Sequence, residues 1–207
     1  SGAWLGVFAA WGVRPQDLFG IDLSARRAAA ALQRLPQSEI VHGDASTLPW
    51  PDASFDLASQ FTTFSSVLDP AMENAMAAEI LRVLRPGGLI AFSSHNRCYV
   101  RAKAGPELHR SRNPLRFALH LARYVASMRV HLRMKAPRHF EDDYALIDES
   151  SPDHALLHYH VDRNAQERQL QRLGYEIVDV LDRAGQSVPK GEMAPKSRSL
   201  MYVARKA

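Results

Sequence analysis

Residues 19–24, Phe-Gly-Ile-Asp-Leu-Ser, place an acidic residue at the end of a short apolar run. Runs of this length are typical of strands that are buried on both faces of a parallel sheet. Asp22 is therefore predicted at the carboxyl end of a strand, where ligands bind in sheets of this kind. A carboxylate there can accept hydrogen bonds from both hydroxyls of a ribose. On spacing alone, Asp22 could equally well cap the helix that follows.

The same arrangement recurs at residues 42–45, His-Gly-Asp-Ala, where Asp44 follows a second short apolar run. A carboxylate in this place could accept a hydrogen bond from an adenine amino group. Across the chain, hydrophobic periodicity predicts alternating helices and strands. The helices are predicted at 3–11, 24–35, 71–84, 114–134 and 163–173, and the strands at 17–23, 39–42, 55–61, 89–93, 156–161, 175–181 and 200–204. We therefore expect an α/β fold with a doubly wound, mostly parallel sheet that closes with an antiparallel pair of strands.

Length and composition exclude several classes of protein. The 207 residues suit one globular domain, and 46% hydrophobic residues suffice for a core. The single cysteine, Cys98, excludes an internal disulfide framework and any site built from several cysteines. No apolar run is long enough to span a bilayer and no secretory leader is visible, so a cytoplasmic location without a membrane partner is expected.

Charge is distributed unevenly along the chain. Residues 97–139 hold eleven Lys or Arg and one acidic residue, Glu107, for a local charge of +10, whereas the rest of the chain has a charge of −6. This segment predicts a basic helical insert at 95–151, between a core at 1–94 and its C-terminal completion at 152–207. Within the insert, Leu121, Val125, Met128 and Leu132 form an apolar stripe at helical spacing, which favours a lid over a substrate pocket. An RNA-binding surface, a membrane-surface helix and a solvated charged face are the alternatives.

Four segments together carry a resemblance to a known family. They are Ile21-Asp22-Leu23-Ser24, Gly43-Asp44-Ala45 with Leu48-Pro49-Trp50-Pro51, Phe55-Asp56-Leu57, and Leu81-Arg82-Val83-Leu84-Arg85-Pro86-Gly87-Gly88-Leu89. In this order and spacing the chain resembles the class I S-adenosylmethionine-dependent methyltransferases, which have a Rossmann-like fold. The resemblance covers most of the chain outside the insert.

The resemblance implies S-adenosyl-L-methionine as the cofactor and assigns residues to its parts. Asp22, followed by Leu23, would hold the ribose, and Asp44 with the backbone of Ala45 would hold the adenine. Gln60 would lie near the methionine moiety, and Phe61 and Thr62 would face the transferred methyl group.

The chain departs from the family pattern at its start. The first strand and the glycine-rich turn of the family should precede the first helix, and here only Ser1 and Gly2 do so. In the family the backbone of that turn meets the methionine end of the cofactor. We interpret Gly2 as the end of the turn, which makes it a cofactor-binding residue, and expect the first strand to be missing from this sequence. A cloning scar is the alternative explanation of Ser1-Gly2.

Methyl transfer requires mainly positioning, with a base only for a protonated acceptor. His95 follows a predicted strand at the carboxyl edge of the sheet and is the best candidate base, although a structural role, capping the strand or binding the insert, is the more frequent one for a loop histidine. Asn96, Tyr99 and Tyr124 are the candidate residues for acceptor binding, besides Thr62. His154, His158 and His160 do not fix a third metal ligand by spacing, so no metal site is expected.

The leading hypothesis is methyl transfer to oxygen or nitrogen of a small-molecule acceptor. An RNA methyltransferase whose basic insert contacts phosphates is the second, and a degenerate, non-catalytic scaffold is the third. The sequence does not address the oligomeric state.

Overall fold

A computed structural model describes residues 2–61, 63–99, 106–135, 137–148 and 156–207. It contains helices and strands in alternation along most of the chain. The helices are α1 (Ala3–Ala10), α2 (Ala25–Arg34), α3 (Thr63–Ser66), α4 (Pro70–Val83), α5 (Pro114–Met134) and α6 (Arg163–Leu173). The strands are β1 (Phe19–Asp22), β2 (Glu39–His42), β3 (Phe55–Phe61), β4 (Leu84–Asn96), β5 (His139–Phe140), β6 (Tyr144–Ile147), β7 (His158–Val161), β8 (Tyr175–Leu181) and β9 (Ser199–Lys206).

The helices begin where local sequence satisfies their first N–H groups. The side chains of Ser24, Asp69, Asn113 and Asp162 each accept a backbone N–H at the start of α2, α4, α5 and α6. Proline occupies the first turn of α4 and α5, where its missing N–H costs no hydrogen bond. The α6 helix ends at Gly174, whose φ of 99° lies in the left-handed region that glycine adopts without strain.

The main sheet is mixed, so the expectation of a mostly parallel sheet is wrong. Strand β4 pairs in parallel with β3 and β7, but β4–β9, β8–β9, β5–β6 and β6–β7 are antiparallel. The physical reason is the segment before α6, which forms an antiparallel extension from short strands instead of a helical crossover. The expected closing antiparallel pair, β8 with β9, is confirmed, and β9 lies between β4 and β8.

Strand β4 organises the sheet because it contacts three other strands. Along one edge, β3 pairs with β4 as far as Phe61 opposite Ser93, and β7 continues that edge with His160 opposite His95. The other edge is covered by β9. Strands β5 and β6 belong to this extension, so the predicted insert at 95–151 contributes two strands as well as α5.

The core lies around β4 and β9. Phe92 stacks on Tyr202 with ring centroids 5.1 Å apart. Phe64 packs edge-to-face with the Phe92 ring, with centroids 5.2 Å apart. Leu84, Ile90 and Ala204 are completely buried beside them. Strands β1 and β2 form a separate parallel pair, which is not hydrogen-bonded to the main sheet among the described residues.

Candidate functional site

A large cavity separates the β1–β2 pair from the main sheet. Its volume is about 1240 Å³, and β1 and β3 form its opposite walls. Helix α1 and residues of α2 and α4 complete the lining. In the described part of the chain, β1 pairs only with β2 and β3 only with β4, so each of these strands has one edge without a strand partner, and residues of both strands line the cavity.

The cavity brings together five of the seven residues that the resemblance assigned to the cofactor. Gly2, Asp22, Ala45, Gln60 and Phe61 all line it. Leu23 and Asp44 do not line it. Leu23 is 70% exposed beyond the end of β1, and Asp44 is exposed next to Ala45.

Asp22 ends β1 with its carboxylate partly exposed. The carboxylate accepts a hydrogen bond from the Ser24 N–H at 2.8 Å, and its two oxygens share the single Nε–H of Arg27 at 3.0 Å each. Ser24, and not Asp22, is the N-cap of α2. Asp22 therefore orders the turn before the helix, and it is also one of the residues that line the cavity.

Asp44 has a comparable local role after β2. One carboxylate oxygen accepts the Ser46 N–H at 2.9 Å and thereby holds the turn that carries Ala45. Ala45 is half-buried against the core, so its backbone is fixed at the cavity wall.

Gln60 presents a buried donor without a partner. Its Oε1 accepts the N–H of Thr63 at 2.8 Å and that of Phe64 at 3.3 Å, so it orients the start of α3. Its Nε2 is buried and has no hydrogen-bond partner among the described residues. An unsatisfied buried donor costs about 1–3 kcal/mol, which indicates that a ligand or water normally accepts from it.

Aromatic rings close the same end of the cavity. Trp4 of α1 lies over Phe61 with ring centroids 4.1 Å apart. Trp4 is not recognisable as a site residue from the sequence, because a tryptophan in an apolar helix looks like a core residue. Gly2 precedes α1 with φ of 65°, and a Cβ there would lie 2.9 Å from the Cβ of Ala31, so only glycine fits.

His95, near the end of β4, belongs to a cluster of three histidines, none of which lines the cavity. Its ring stacks on His160 at 4.9 Å and meets the edge of His158 at 5.4 Å. The N–H of His95 donates to Ser65 Oγ at 3.1 Å, while its Nδ1 and both ring nitrogens of His160 are buried without hydrogen-bond partners in the described structure. Burial, together with the neighbouring histidines and Arg198, lowers the pKa of His95 to about 4 and that of His160 to about 3.

The residues expected to bind the acceptor have different positions. Asn96 is a wrong assignment, since it is 1% exposed, its Nδ2 donates to three carbonyls of residues 193–197 and its Oδ1 accepts the Cys98 N–H. Tyr99 packs against Ala145 and Ile147. Tyr124 is half-buried on α5, and Thr62 lies outside the described residues.

The apolar stripe predicted on α5 is not buried, so the lid that rested on its burial is not formed by these residues. Leu121, Val125 and Leu132 are each at least 40% exposed, and only Met128 of the stripe is half-buried. The helix turns the opposite face inward, where His131 and Asp148 are buried and Arg138 binds both. The buried Asp148 carboxylate requires charged partners, so the side of α5 that carries His131 faces inward despite the apolar spacing of the stripe.

Neither a metal centre nor a membrane span is visible in the described segments. These segments bring together no group of three or more His, Cys, Asp or Glu side chains suited to a metal ion. No described helix is long and apolar enough to cross a bilayer.

Residues 1–92 match a family model described as a methyltransferase domain. Among curated proteins, a probable S-adenosylmethionine-dependent methyltransferase of Mycolicibacterium smegmatis is 36% identical over 80 residues, which are 39% of this chain and 30% of that protein. A malonyl-[acyl-carrier protein] O-methyltransferase of Serratia marcescens is 33% identical over 97 residues, covering 45% and 36% of the two chains. The alignments with the first curated relatives span between 21% and 36% of the relatives' own length.

Solved structures share the fold over nearly the whole chain. An S-adenosylmethionine-dependent methyltransferase from Mesorhizobium loti matches with a TM-score of 0.60 at 18% identity, covering 98% of this chain and 85% of that one. A 1,6-didemethyltoxoflavin-N1-methyltransferase from Burkholderia thailandensis, solved with S-adenosylhomocysteine, matches with a TM-score of 0.59 at 17% identity, covering 100% and 67%.

Proposed function

We propose that this chain is a class I S-adenosylmethionine-dependent methyltransferase and that it transfers a methyl group from S-adenosyl-L-methionine to an oxygen or nitrogen atom of a small-molecule acceptor. The observation that carries the proposal is the convergence of Gly2, Asp22, Ala45, Gln60 and Phe61 on one cavity. The relatives named above include enzymes that methylate oxygen and nitrogen atoms.

The residues present fit the cofactor at the carboxyl ends of β1 and β3. Asp22 would accept hydrogen bonds from the ribose hydroxyls, and Gln60 would donate its free Nε2 hydrogens to the carboxylate of the methionine moiety. The cofactor supplies an electrophilic methyl group on a sulfonium. Trp4 and Phe61 would exclude water from the transfer path, since their rings close this end of the cavity.

His95 contributes a neutral imidazole at physiological pH, because its pKa is lowered to about 4. A group with so low a pKa is a weak base at pH 7. We therefore assign His95 the task of accepting a hydrogen bond from the acceptor and orienting it, and not of removing a proton before transfer. Methyl transfer is accelerated chiefly by such positioning.

In the described part of the chain, no strand pairs with both β1 and β3. We infer that an additional extended strand fills the part of the cavity near the amino-terminal ends of β1 and β3 and pairs with the free edges of both strands. Support comes from these two free edges and from buried core residues, including Met76 and Val83, that line the cavity. Comparing S-adenosylhomocysteine binding with and without a segment fused ahead of Ser1 tests this inference, and equal affinity and stability would contradict it.

Replacing Asp22 by Ala should weaken S-adenosylhomocysteine binding by about 10- to 100-fold, because a hydrogen-bonded carboxylate is lost. Isothermal titration calorimetry measures the affinity, and circular dichroism checks that the fold is retained. Glu176→Ala is the matched control, since it removes an exposed carboxylate on β8, remote from the cavity lining. An affinity unchanged by Asp22→Ala would reject the cofactor assignment.

The change Asp44→Ala should reduce the affinity less than Asp22→Ala does. Asp44 is exposed and does not line the cavity, and the Ala45 backbone shares the adenine contact in this assignment. The same calorimetric titration compares the two variants. A loss equal to or larger than that of Asp22→Ala would reverse the ranking.

RNA methylation is the second candidate, favoured by the basic helix α5. Four exposed arginines of this helix form no ion pair with an acidic residue in the described structure: Arg116, Arg123, Arg129 and Arg133. Contacts with phosphates would give a steep dependence of RNA affinity on salt concentration. An RNA affinity that does not depend on salt concentration would favour the small-molecule acceptor over RNA. A chain that does not bind S-adenosylhomocysteine at all would favour the non-catalytic scaffold.

A further inference from the structure

Helix α5 exposes an apolar face that no described element covers. We call it the α5 outer face, and it consists of Leu115, Leu119, Leu121, Val125 and Leu132. Leu115 is 81% exposed, Leu119 is 58% exposed and Leu132 is 54% exposed. Contiguous apolar side chains on a surface usually mark a place where another surface binds.

The charges around the α5 outer face are all of one sign. Residues 108–140 contain eight Lys or Arg and no acidic residue. Arg116 and Arg123 lie at one border of the face, and Arg129 and Arg133 lie along its C-terminal half. All four arginines are exposed and have no acidic partner among the described residues, so their charges are available to an external anion.

The attachment of α5 to the body leaves this face free. The helix has 21 residues, and its buried contact is near its C-terminal end, where His131 Nδ1 lies 3.0 Å from Asp148 Oδ2. Arg138 Nε donates to the same carboxylate at 2.7 Å. A helix of this length extends about 30 Å, so most of it lies on the surface and can contact a flat partner.

We propose that the α5 outer face binds to a membrane surface that carries anionic lipid headgroups. The leucines enter the boundary between headgroups and acyl chains, while the arginines extend their side chains to the phosphates. This departs from the expectation of no membrane partner, which rested on the lack of a spanning segment. A peripheral helix needs no such segment.

Two other occupants fit the observations less well. RNA would use the arginines but would leave the exposed leucines in water, and single-stranded RNA is normally held by stacking on aromatic side chains. A second copy that bound face to face would bring two sets of unpaired arginines together, and this like-charge contact is repulsive.

The test is co-sedimentation of the whole chain with lipid vesicles at low salt. We expect binding to vesicles of phosphatidylcholine with phosphatidylglycerol, little binding to phosphatidylcholine alone, and release at high salt. Leu115→Gln combined with Leu119→Gln should lower the partition coefficient at least tenfold. Arg116→Gln combined with Arg123→Gln should lower it about tenfold or more, since each cation near an anionic surface contributes about fivefold.

Matched control variants distinguish binding through the α5 outer face from non-specific binding by exposed apolar or charged side chains elsewhere. Leu32→Gln with Val178→Gln removes two exposed apolar side chains elsewhere, and Arg26→Gln with Arg183→Gln removes two exposed charges elsewhere. Both control variants should keep wild-type binding.

Three results would overturn the proposal. The first is equal binding to neutral and anionic vesicles or to all variants. The second is a chain that does not bind vesicles but binds a single-stranded RNA oligonucleotide tightly and in a salt-sensitive way, when Arg116→Gln combined with Arg123→Gln abolishes this RNA binding. The third is a stable dimer in multi-angle light scattering that Leu115→Gln with Leu119→Gln dissociates. None of these measurements depends on methyltransferase activity.

Discussion

Acidification from pH 7 to pH 4 should lower the free energy of unfolding by on the order of 5 kcal/mol through two buried histidines, since one pKa unit corresponds to about 1.4 kcal/mol. The pKa values of His95 and His160 are lowered to about 4 and about 3 in the folded chain. The unfolded chain has the ordinary value near 6.5, so it binds protons first as the pH falls. The stabilisation is therefore complete above pH 6.5 and is lost progressively below it.

Urea unfolding measured at several pH values tests this expectation. The variant His160→Phe keeps a flat ring in the stack on His95 and removes one titrating group, so its stability should fall less steeply between pH 6.5 and pH 4. His42→Gln is the matched control, since His42 is exposed. A pH dependence in His160→Phe as steep as that of the wild type would show that carboxylates alone cause the acid effect.

Replacing Asp148 by Ala should cost about 3–5 kcal/mol of stability, because it leaves buried charge without compensation. Asp148 is completely buried and holds the side chains of both Arg138 and His131. The exposed ion pair between Arg168 and Asp143 provides the control, and Asp143→Ala should cost less than about 1 kcal/mol. Chemical denaturation measures both values.

Hydrogen exchange of α5 gives a second measurement for the same variant. Asp148 lies where the helix meets the body, so the amides in the C-terminal half of α5 should exchange faster in Asp148→Ala than in Asp143→Ala. Unchanged protection of α5 would mean that other contacts hold the helix.

The sequence predicts the β1–β2 part of the fold well, since local signals coincide there. Asp22 and Asp44 each follow a short apolar run, and in the structure each ends or directly follows a strand and accepts N–H groups of the next turn. The helices bounded by capping residues also match their predictions to within a few residues. Those features depend on neighbours in the chain, which a sequence shows directly.

Features that depend on distant residues could not be predicted in the same way. Periodicity on α5 identified Leu121, Val125 and Leu132 as the packed stripe, whereas burial of the His131 side follows from Asp148, which lies beyond the helix. Asn96 looked like a substrate ligand because it follows a strand, but carbonyls around residues 193–197 occupy its amide. The histidine cluster likewise arises from the register of β4 with β7, which no local pattern specifies.

The position of β9 between β4 and β8 also constrains the order in which the molecule folds. Strand β4 pairs with β9 from Leu89 opposite Arg205 to His95 opposite Ser199. Forming these pairs closes a loop on the order of 100 residues, and the entropy cost of that closure comes before the contacts between the two strands can compensate it. Strand β8 is attached to the sheet only through β9, so it gains no strand partner in the sheet earlier. The strands that carry Asp22 and Gln60 thus precede in the chain, by a long interval, the strand that completes the sheet. Such long-range pairing favours slow folding, on the scale of milliseconds to seconds. Until β9 pairs with β4, the free edge of β4 can pair with a wrong strand.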